Sequence, residues 1–283
     1  MERVQVTIYT DPGCPFGFSA QRQETQLAWH YGDGLEITRR MIVLSEQSGS
    51  YEQRGLNREM VAGNARRLRS QYGMPMLTEP QERMAATIEA CRAYVGARLN
   101  DRQRADRLLR SLRCRVFSHG EPLDQPDTIR GAASDAGIAS DALDAWLADQ
   151  DVERALREDM AATRDPLPEA LAQAHRLSNS NGGLRYSTAS AVFESGGRRV
   201  VMAGFQPFAV YEVALANAAP ELERRAAPKA AEEVLAWAPY PLATAEVAEL
   251  MGIDLDTARE RLQGAGAEFE PAAGDGYWSA PTR

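Results

Sequence analysis

The chemistry of this 283-residue chain is most clearly suggested by one cysteine, Cys14, in the segment DPGCPFGF. The segment follows a strand-like alternation and precedes a helical pattern, so the thiol is expected at a helix N-terminus. Unpaired backbone N–H groups at that end favour the thiolate and should lower the thiol pKa below its usual value of about 8.5. A thiolate attacks disulfides and electrophilic carbon. We therefore predict that Cys14 is exposed and catalytic; the alternative is a buried, inert cysteine.

The other two cysteines are weaker candidates for chemistry. Cys91 belongs to an apolar stripe at three- and four-residue spacing, which predicts a place in a helical core. Cys114 lies off the apolar stripe of the next helix and is a candidate thiol to resolve an adduct on Cys14, although the sequence does not set the distance between them. The members of the first stripe are Met84, Ile88, Cys91, Val95 and Leu99.

Neither a metal site nor a nucleotide site is indicated. The three histidines, His30, His119 and His175, do not stand at metal-ligand spacing, and the sequence has no glycine-rich phosphate-binding loop. The formal net charge of -8 disfavours nonspecific binding to nucleic acid or to an anionic membrane surface. We predict no metal, no nucleotide cofactor and no membrane partner.

Two strands and a helix must hold Cys14 in place. The alternation VQVTI from residue 4 indicates a half-buried strand, and the Asp-Pro-Gly sequence after it indicates a turn. Pro15 suits the first position of a helix, which should end near His30 before YGDG. A second strand is predicted over residues 35–44. Strand, helix and strand with short connections predict a parallel pair in an α/β sheet.

A helical block interrupts this α/β pattern from about residue 57 to residue 176, and a polar loop, SNSNGG at 178–183, ends it. Strand character returns on both sides of a Gly-Gly pair, which predicts a hairpin of 191–193 with 200–202. FQPFAVYEVALANA then predicts an amphipathic helix. We interpret the helical block as an insertion between the two halves of one α/β domain.

The C-terminal region follows a charged, alanine-rich linker and has a third pattern. Three short helices at 230–238, 244–251 and 255–265 precede a hairpin with a Gly-Asp-Gly turn, which is the order of a winged helix. From residue 229 onward the chain has four basic and ten acidic residues. Because phosphate contacts dominate affinity for DNA, this acidic region favours a packing or homodimerisation module over a nucleic-acid reader.

The order of these motifs resembles one branch of a known superfamily. DPGCPFGF at a helix start, a long helical block, YSTASAVF and AGFQPFAVYEVAL are together similar to DsbA-like proteins of the thioredoxin superfamily. That branch includes bacterial disulfide oxidoreductases, FrnE-like proteins, kappa-class glutathione transferases and 2-hydroxychromene-2-carboxylate isomerases. The resemblance covers about residues 4–218 and implies an α/β thioredoxin-like fold with a large all-helical insertion. The expected domains are thioredoxin-like (1–45 and 185–218), helical insertion (46–184), linker (219–229) and a small winged-helix-like region (230–283).

Two departures from the family pattern bear on the chemistry. Redox members carry Cys-x-x-Cys, whereas Gly17 stands here at the place of the second cysteine. Members also carry a cis-proline facing the active cysteine, and Ala189 takes that place here, after Thr188. Because a cis bond before a residue other than proline costs about 2.5–4 kcal/mol, we expect a trans bond or a rearranged loop. The site residues implied by the resemblance are Cys14 as catalyst, with Pro15, Phe16, Gly17, Thr188 and Ala189 binding the thiol or substrate.

The resemblance implies single-cysteine thiol chemistry by an oxidoreductase, a thiol transferase or an isomerase. Its cofactor would be a low-molecular-weight thiol such as glutathione or mycothiol, and its partner a small thiol or an electrophilic substrate. The alternative is a noncatalytic thioredoxin-fold protein that binds a small molecule or a protein in the altered cleft. No apolar run reaches the roughly 18 residues of a membrane span, and no export signal is evident, so we predict a cytoplasmic protein.

Overall fold

The computed structural model describes residues 3–180 and 183–281. Its strands are β1 Val4–Thr10, β2 Leu35–Met41, β3 Ser178–Ser180, β4 Gly183–Arg185, β5 Ala191–Ser195, β6 Arg198–Met202, β7 Leu242–Ala243, β8 Glu268–Ala272 and β9 Asp275–Ser279. Its α-helices are α1 Pro15–Ser19, α2 Gln21–Tyr31, α3 Ser50–Gln53, α4 Arg58–Tyr72, α5 Ile88–Asn100, α6 Arg102–Ser118, α7 Pro126–Asp135, α8 Ser140–Ala148, α9 Gln150–Thr163, α10 Pro168–Leu171, α11 Phe208–Ala218, α12 Ala231–Trp237, α13 Thr244–Met251 and α14 Leu255–Gly264.

The chain folds into two compact units. The first unit comprises the described residues up to Ile42 together with Leu156–Ala227, and the second comprises Val43–Ala155 and the described residues from Pro228 onward. The domain limits inferred from the sequence stay predictions. Among the α-helices of the described residues, none is long and apolar enough to cross a lipid bilayer.

The first unit is built on a four-stranded sheet in the order β2-β1-β5-β6. β1 and β2 are parallel over their whole length, whereas β5 pairs antiparallel with both β1 and β6. The predicted parallel pair and the predicted hairpin are therefore confirmed. Side chains from β1, α2, β5 and α11 meet in one buried apolar cluster, which anchors the strand that leads to Cys14. The cluster includes Val4, Val6, Ile8, Leu27, Phe193, Tyr211 and Leu215.

Three boundaries in the first unit differ from the prediction. The helix after Cys14 is interrupted at Ala20, which separates α1 from α2. β2 ends at Met41 rather than at residue 44. The polar stretch 178–183, predicted as a loop, instead supplies the antiparallel strands β3 and β4, because pairing with a neighbouring strand satisfies backbone amides of a polar segment as well as water does. Asn181 and Gly182 of that stretch lie outside the described residues.

The second unit contains the helices α3 to α8, so the predicted helical character of this block is confirmed. Cys91 on α5 is fully buried, as predicted. Two members of its predicted stripe were placed wrongly. Met84 is buried but precedes α5, which begins only at Ile88, and Leu99 near the end of α5 is 52% exposed. Spacing alone extended the stripe beyond the part of the helix that packs.

The C-terminal elements follow in the order α12, β7, α13, α14, β8, β9, and their strands form a sheet in the order β7-β9-β8. The terminal hairpin is confirmed, but its turn is Ala273-Gly274 rather than Gly-Asp-Gly, because Asp275 already pairs with Ala272. Both turn residues have positive φ angles, 34° and 85°, as one common type of two-residue hairpin turn requires. The classification of this region as a winged helix stays a prediction.

Residues 219–229 form no helix or strand, but part of this segment packs on α2. Trp29 Nε1 donates to a backbone carbonyl of the segment at 2.8 Å, and the Arg225 guanidinium lies 3.6 Å from the centroid of the Trp29 ring. His30 Nε2 lies 3.1 Å from an Arg224 nitrogen, which can only donate, so the ring proton is on Nδ1 and is donated to the Arg225 carbonyl. Burial lowers the pKa of His30, in keeping with this neutral ring.

Candidate active site

The turn between β1 and α1 fixes the backbone of Cys14. Gly13 N donates to Asp11 Oδ1 at 2.7 Å, and Cys14 N donates to the Asp11 carbonyl at 3.2 Å. Cys14 is the N-cap of α1, Pro15 occupies the first helical turn, and Phe18 N donates to the Cys14 carbonyl at 3.0 Å. The sequence prediction of strand, turn, cysteine and helix start is therefore confirmed.

The environment of the Cys14 sulfur differs from the prediction in two respects. Cys14 is 7% exposed, so the expectation of an exposed thiol is wrong. The expectation of a lowered pKa is also wrong: burial raises the pKa of Cys14, and the Asp11 carboxylate adds to the rise. The physical reason is that α1 has only five residues and the thiol lies among packed side chains. The loss of hydration therefore destabilises the thiolate more than the N–H groups at the helix N-terminus stabilise it.

Three groups around the same sulfur nevertheless lower the pKa of Cys14. The Thr188 side chain contacts the thiol, and the backbone N–H groups of Gly17 and Phe16 donate to it; each of these lowers the pKa of Cys14. Thr188 Oγ1 is buried and completes no regular hydrogen bond among the described residues. Its hydroxyl is thus available to stabilise negative charge on the sulfur. The neutral thiol is the resting form, and the site holds donors for the thiolate.

The loop that carries Thr188 is held against β1. The Tyr186 ring stacks on the Tyr9 ring with 3.9 Å between centroids, and Tyr9 N donates to the Ser190 carbonyl at 2.9 Å. Ser190 Oγ donates to the Ser187 carbonyl at 2.7 Å. The sequence contained Tyr9 and Tyr186, but no local signal indicated that they stack.

The peptide bond between Thr188 and Ala189 is cis, so the expectation of a trans bond is wrong. That expectation considered the isolated bond alone. In the structure the residues on both sides are held by the contacts with β1, and Gly204 N donates to Ser190 Oγ at 2.8 Å. The chain therefore keeps the loop geometry that the family resemblance implied, with Ala189 in place of proline.

Two aromatic rings lie on the less buried side of the site. Phe16 packs edge to face against Phe205, with 5.9 Å between ring centroids, and both side chains are half-buried. Phe16 was expected to flank a bound substrate, whereas Phe205 was not singled out, although it belongs to the AGFQPF motif. Together the two rings form a half-buried apolar pair, of which Phe16 lies two residues after Cys14.

The structure brings several of the predicted site residues together. Cys14, Phe16, Gly17 and Thr188 meet at the sulfur through the contacts described above. Pro15 contributes by starting α1, and Ala189 is buried directly after Thr188. Among residues 3–180 and 183–281, no group of three or more histidine, cysteine, aspartate or glutamate side chains is arranged to hold a metal ion.

Cys114 has surroundings of another kind in the second unit. Its thiol is hydrogen-bonded to Tyr277, and burial raises its pKa. On the same helix, Arg110 forms a buried two-point ion pair with Glu246, at 2.8 and 2.6 Å. Sequence analysis missed this pair, because no local pattern links residues 136 positions apart. The role of Cys114 as a resolving thiol stays a prediction.

Comparisons with known proteins agree with this architecture. The family model described as a DSBA-like thioredoxin domain matches residues 5–165. A proposed protein disulfide isomerase from Nitrosomonas europaea superposes with a TM-score of 0.60 at 16% identity, covering 76% of this chain and 96% of that one. A probable DsbA oxidoreductase from Streptomyces coelicolor gives 0.55 at 21% identity, covering 80% and 93%. The cytosolic disulfide reductase DsbM from Pseudomonas aeruginosa with GSH gives 0.52 at 13% identity, covering 75% and 98%. Curated proteins yield no match to the sequence.

Proposed function

We propose a function from one premise: this chain belongs to the DSBA-like thioredoxin domain family. Cys14 carries out single-cysteine thiol chemistry with a low-molecular-weight thiol, as an oxidoreductase, a thiol transferase or an isomerase. The observation that carries the proposal is the convergence of the Thr188 side chain and the N–H groups of Phe16 and Gly17 on one sulfur. Groups that favour a thiolate serve a reaction in which sulfur becomes negative.

Thiol–disulfide exchange illustrates the proposed chemistry. Cys14 loses its proton to solvent, and its thiolate attacks one sulfur of a small disulfide; a mixed disulfide forms, and the other half leaves as a thiolate that takes up a proton. Because Gly17 stands where redox relatives carry a second cysteine, a further small thiol must attack the mixed disulfide. That step forms a new small disulfide and returns the reduced Cys14.

The proposed co-reactant is glutathione, mycothiol or a thiol of that kind, in the cytoplasm. Support comes from the DsbM structure, whose protein is described as a cytosolic disulfide reductase and was solved with GSH. All three cysteines of this chain are free of disulfide bonds, as expected for a reducing compartment. The half-buried rings of Phe16 and Phe205 offer the apolar contact for the thiol or for an electrophilic substrate.

A noncatalytic binding protein is the second candidate, and the burial of Cys14 favours it. A thiol whose pKa is raised by burial holds little thiolate near neutral pH, which slows attack on any electrophile. In that case the half-buried rings of Phe16 and Phe205 would contact a small molecule or a partner without covalent chemistry. The two candidate functions differ in whether the Cys14 sulfur reacts covalently.

Oxidised glutathione distinguishes the two candidates. We expect intact-mass analysis to show one glutathione adduct, peptide mapping to place it on Cys14, and added reduced glutathione to remove it. The Cys14→Ser variant should form no adduct, whereas the matched Cys114→Ser variant should react like the parent protein. Ligand binding without any adduct, equal in the parent and in Cys14→Ser, would establish the binding protein instead.

A further inference from the structure

The second unit contains a cavity of about 470 Å³ that the chemistry of Cys14 does not use. It lies between α6, the segment 239–241 and the hairpin of β8 and β9. Its apolar side is formed by Pro239, Tyr240, Pro241 and Tyr277. The volume is within the range of sites for small molecules.

The deep polar groups of the cavity already have partners. Ser118 Oγ donates to the Pro75 carbonyl at 2.6 Å, so the 2.6 Å contact between Ser118 and Tyr277 must use the Tyr277 proton. The Tyr277 oxygen is then left to accept from the Cys114 thiol, to which it is hydrogen-bonded. Arg110 is likewise saturated by Glu246. A ligand therefore finds few unpaired polar groups at the buried end of the cavity.

A second set of charges on the wall is also internally paired, with an excess of negative charge. Arg115 contacts Glu121 at 2.7 Å and Asp135 at 2.9 Å, and Ser111 Oγ donates to Asp135 at 2.6 Å. Two carboxylates thus share one guanidinium. A purely anionic ligand would meet this excess of negative charge, whereas a positive group on the ligand would be attracted by it.

Opposite charges at the rim remain without partners. Arg107 on α6 and Glu270 on β8 both line the cavity and are exposed. Neither side chain has a hydrogen bond or an ion pair with any residue that the structure describes, so the two side chains do not pair with each other. One free cation and one free anion on the same rim match a ligand that carries both charges.

We infer that this cavity binds a small zwitterion with an apolar or aromatic side chain, of the class of an α-amino acid. Arg107 contacts the carboxylate of the ligand, and Glu270 contacts its ammonium group. The apolar part of the ligand packs on Tyr240 and the two prolines beside it. This is a site separate from Cys14, and it gives the C-terminal region a ligand-binding role.

Three probes that share a phenyl ring test the inference on the full-length protein. L-phenylalanine carries both charges, phenethylamine lacks the carboxylate, and 3-phenylpropanoate lacks the ammonium group. Binding is measured by isothermal calorimetry, and the two rim variants described below show whether the bound probe occupies this cavity. We expect L-phenylalanine to bind at least about threefold more tightly than either analogue, because each exposed charge contact adds a modest attraction.

Two variants assign the contacts. Arg107→Gln should weaken L-phenylalanine about threefold and leave phenethylamine unchanged, whereas Glu270→Gln should weaken L-phenylalanine and leave 3-phenylpropanoate unchanged. Both side chains are exposed and unpaired, so neither change removes a contact of the folded protein. Arg261→Gln removes an exposed arginine on α14 that does not line the cavity, and it is the matched control.

The inference is overturned by any of three results. These are equal binding of all three probes, insensitivity of L-phenylalanine binding to both rim variants, and failure of L-phenylalanine to bind at millimolar concentration. Because the cavity is independent of Cys14, the Cys14→Ser variant should bind the probes as the parent does. A parent protein that binds the probes but forms no glutathione adduct would reject the proposed function and leave this inference standing.

Discussion

Two thiols of this chain, Cys14 in the first unit and Cys114 in the second, share one property and differ in another. Burial is the largest influence on both, and it raises both pKa values. Around Cys14, however, the nearby groups are donors: two backbone N–H groups and the otherwise unbonded hydroxyl of Thr188. At Cys114 the Arg110 guanidinium and the Tyr277 hydroxyl also lower the thiol pKa. Both of these groups have other partners, however: Tyr277 is hydrogen-bonded to Ser118, and Arg110 is paired with Glu246.

Burial and the direction of the hydrogen bonds therefore do not distinguish these two thiols. What differs is whether the nearby hydroxyl has another partner: the Thr188 hydroxyl has none among the described residues and can turn to a thiolate, whereas Tyr277 would have to give up its bond to Ser118. The proposed function therefore places chemistry at Cys14 and packing at Cys114, and both proposals can be tested.

The largest effect is expected from removing each sulfur in turn. Cys14→Ser should reduce glutathione exchange at least 100-fold, to the uncatalysed background, because a hydroxyl does not form a mixed disulfide. Cys114→Ser should keep the rate within about twofold, since serine can also donate to Tyr277. The rate is measured by stopped-flow or mass-spectrometric quenching. Comparable losses in both variants would end the distinction between the two thiols.

The next largest effect concerns the ion pair beside Cys114. Replacing Arg110 by Met leaves the buried Glu246 carboxylate with fewer partners and should lower the free energy of unfolding by about 3–5 kcal/mol. Arg154→Met, which removes an arginine paired with Asp151 at the surface, should change it by less than about 1 kcal/mol. Urea unfolding measures both. If Arg110→Met is as mild as the control, the surroundings of Cys114 are not a stabilising network.

Deleting one hydroxyl next to each thiol is the sharpest matched test. Tyr277→Phe should cost about 1–3 kcal/mol of stability, because Cys114 and Ser118 lose a buried partner. Thr188→Val keeps the shape of the side chain and should leave stability within about 1 kcal/mol, but it should slow alkylation of Cys14 at pH 8 by about threefold to tenfold. If Tyr277→Phe instead changed the alkylation rate of Cys114 and Thr188→Val changed only stability, the proposed roles of the two thiols would have to be exchanged.

The smallest effect is the pH dependence that the raised pKa values imply. An unfolded thiol loses its proton near pH 8.5, whereas both folded thiols hold theirs to higher pH, so the unfolded state binds fewer protons above that point. The free energy of unfolding should therefore be constant up to about pH 8 and fall beyond it, by at most about 1.4 kcal/mol per thiol per pH unit.

Denaturant unfolding between pH 7 and pH 9.5 checks this sign. The double variant Cys14→Ser with Cys114→Ser should show a flatter profile over the same range. Alkylation of Cys14 should also rise about tenfold per pH unit through pH 8 without a plateau. A plateau near neutral pH would mean that the pKa of Cys14 is lowered after all.

Much of the first unit was accessible from the sequence because its signals are local. Alternation in β1, the turn before Cys14 and the Gly-Gly hairpin each involve neighbours in the chain, and all three appear where predicted. The site residues implied by the family resemblance, Thr188 above all, also meet at the sulfur. Local patterns succeed where the deciding interactions span only a few residues.

The errors arose where the environment comes from distant parts of the chain. The pKa of Cys14 was predicted from the helix end alone, and burial reversed its direction. The bond before Ala189 was judged by its intrinsic preference, whereas strand β1 holds the loop in which it lies. Leu99 was assigned to a core that ends one turn earlier. None of these facts has a signature in nearby residues.

The sequence by itself determined that a cysteine follows the first strand of an α/β sheet, and that no second cysteine stands at Gly17. Only the tertiary structure decided that Cys14 is buried, which groups face its sulfur, and that α6 and the C-terminal hairpin enclose a cavity. The physical reason is the range of the interactions. Backbone propensity acts over a few residues, whereas hydration, packing and charge pairing depend on what folding brings together from distant parts of the chain.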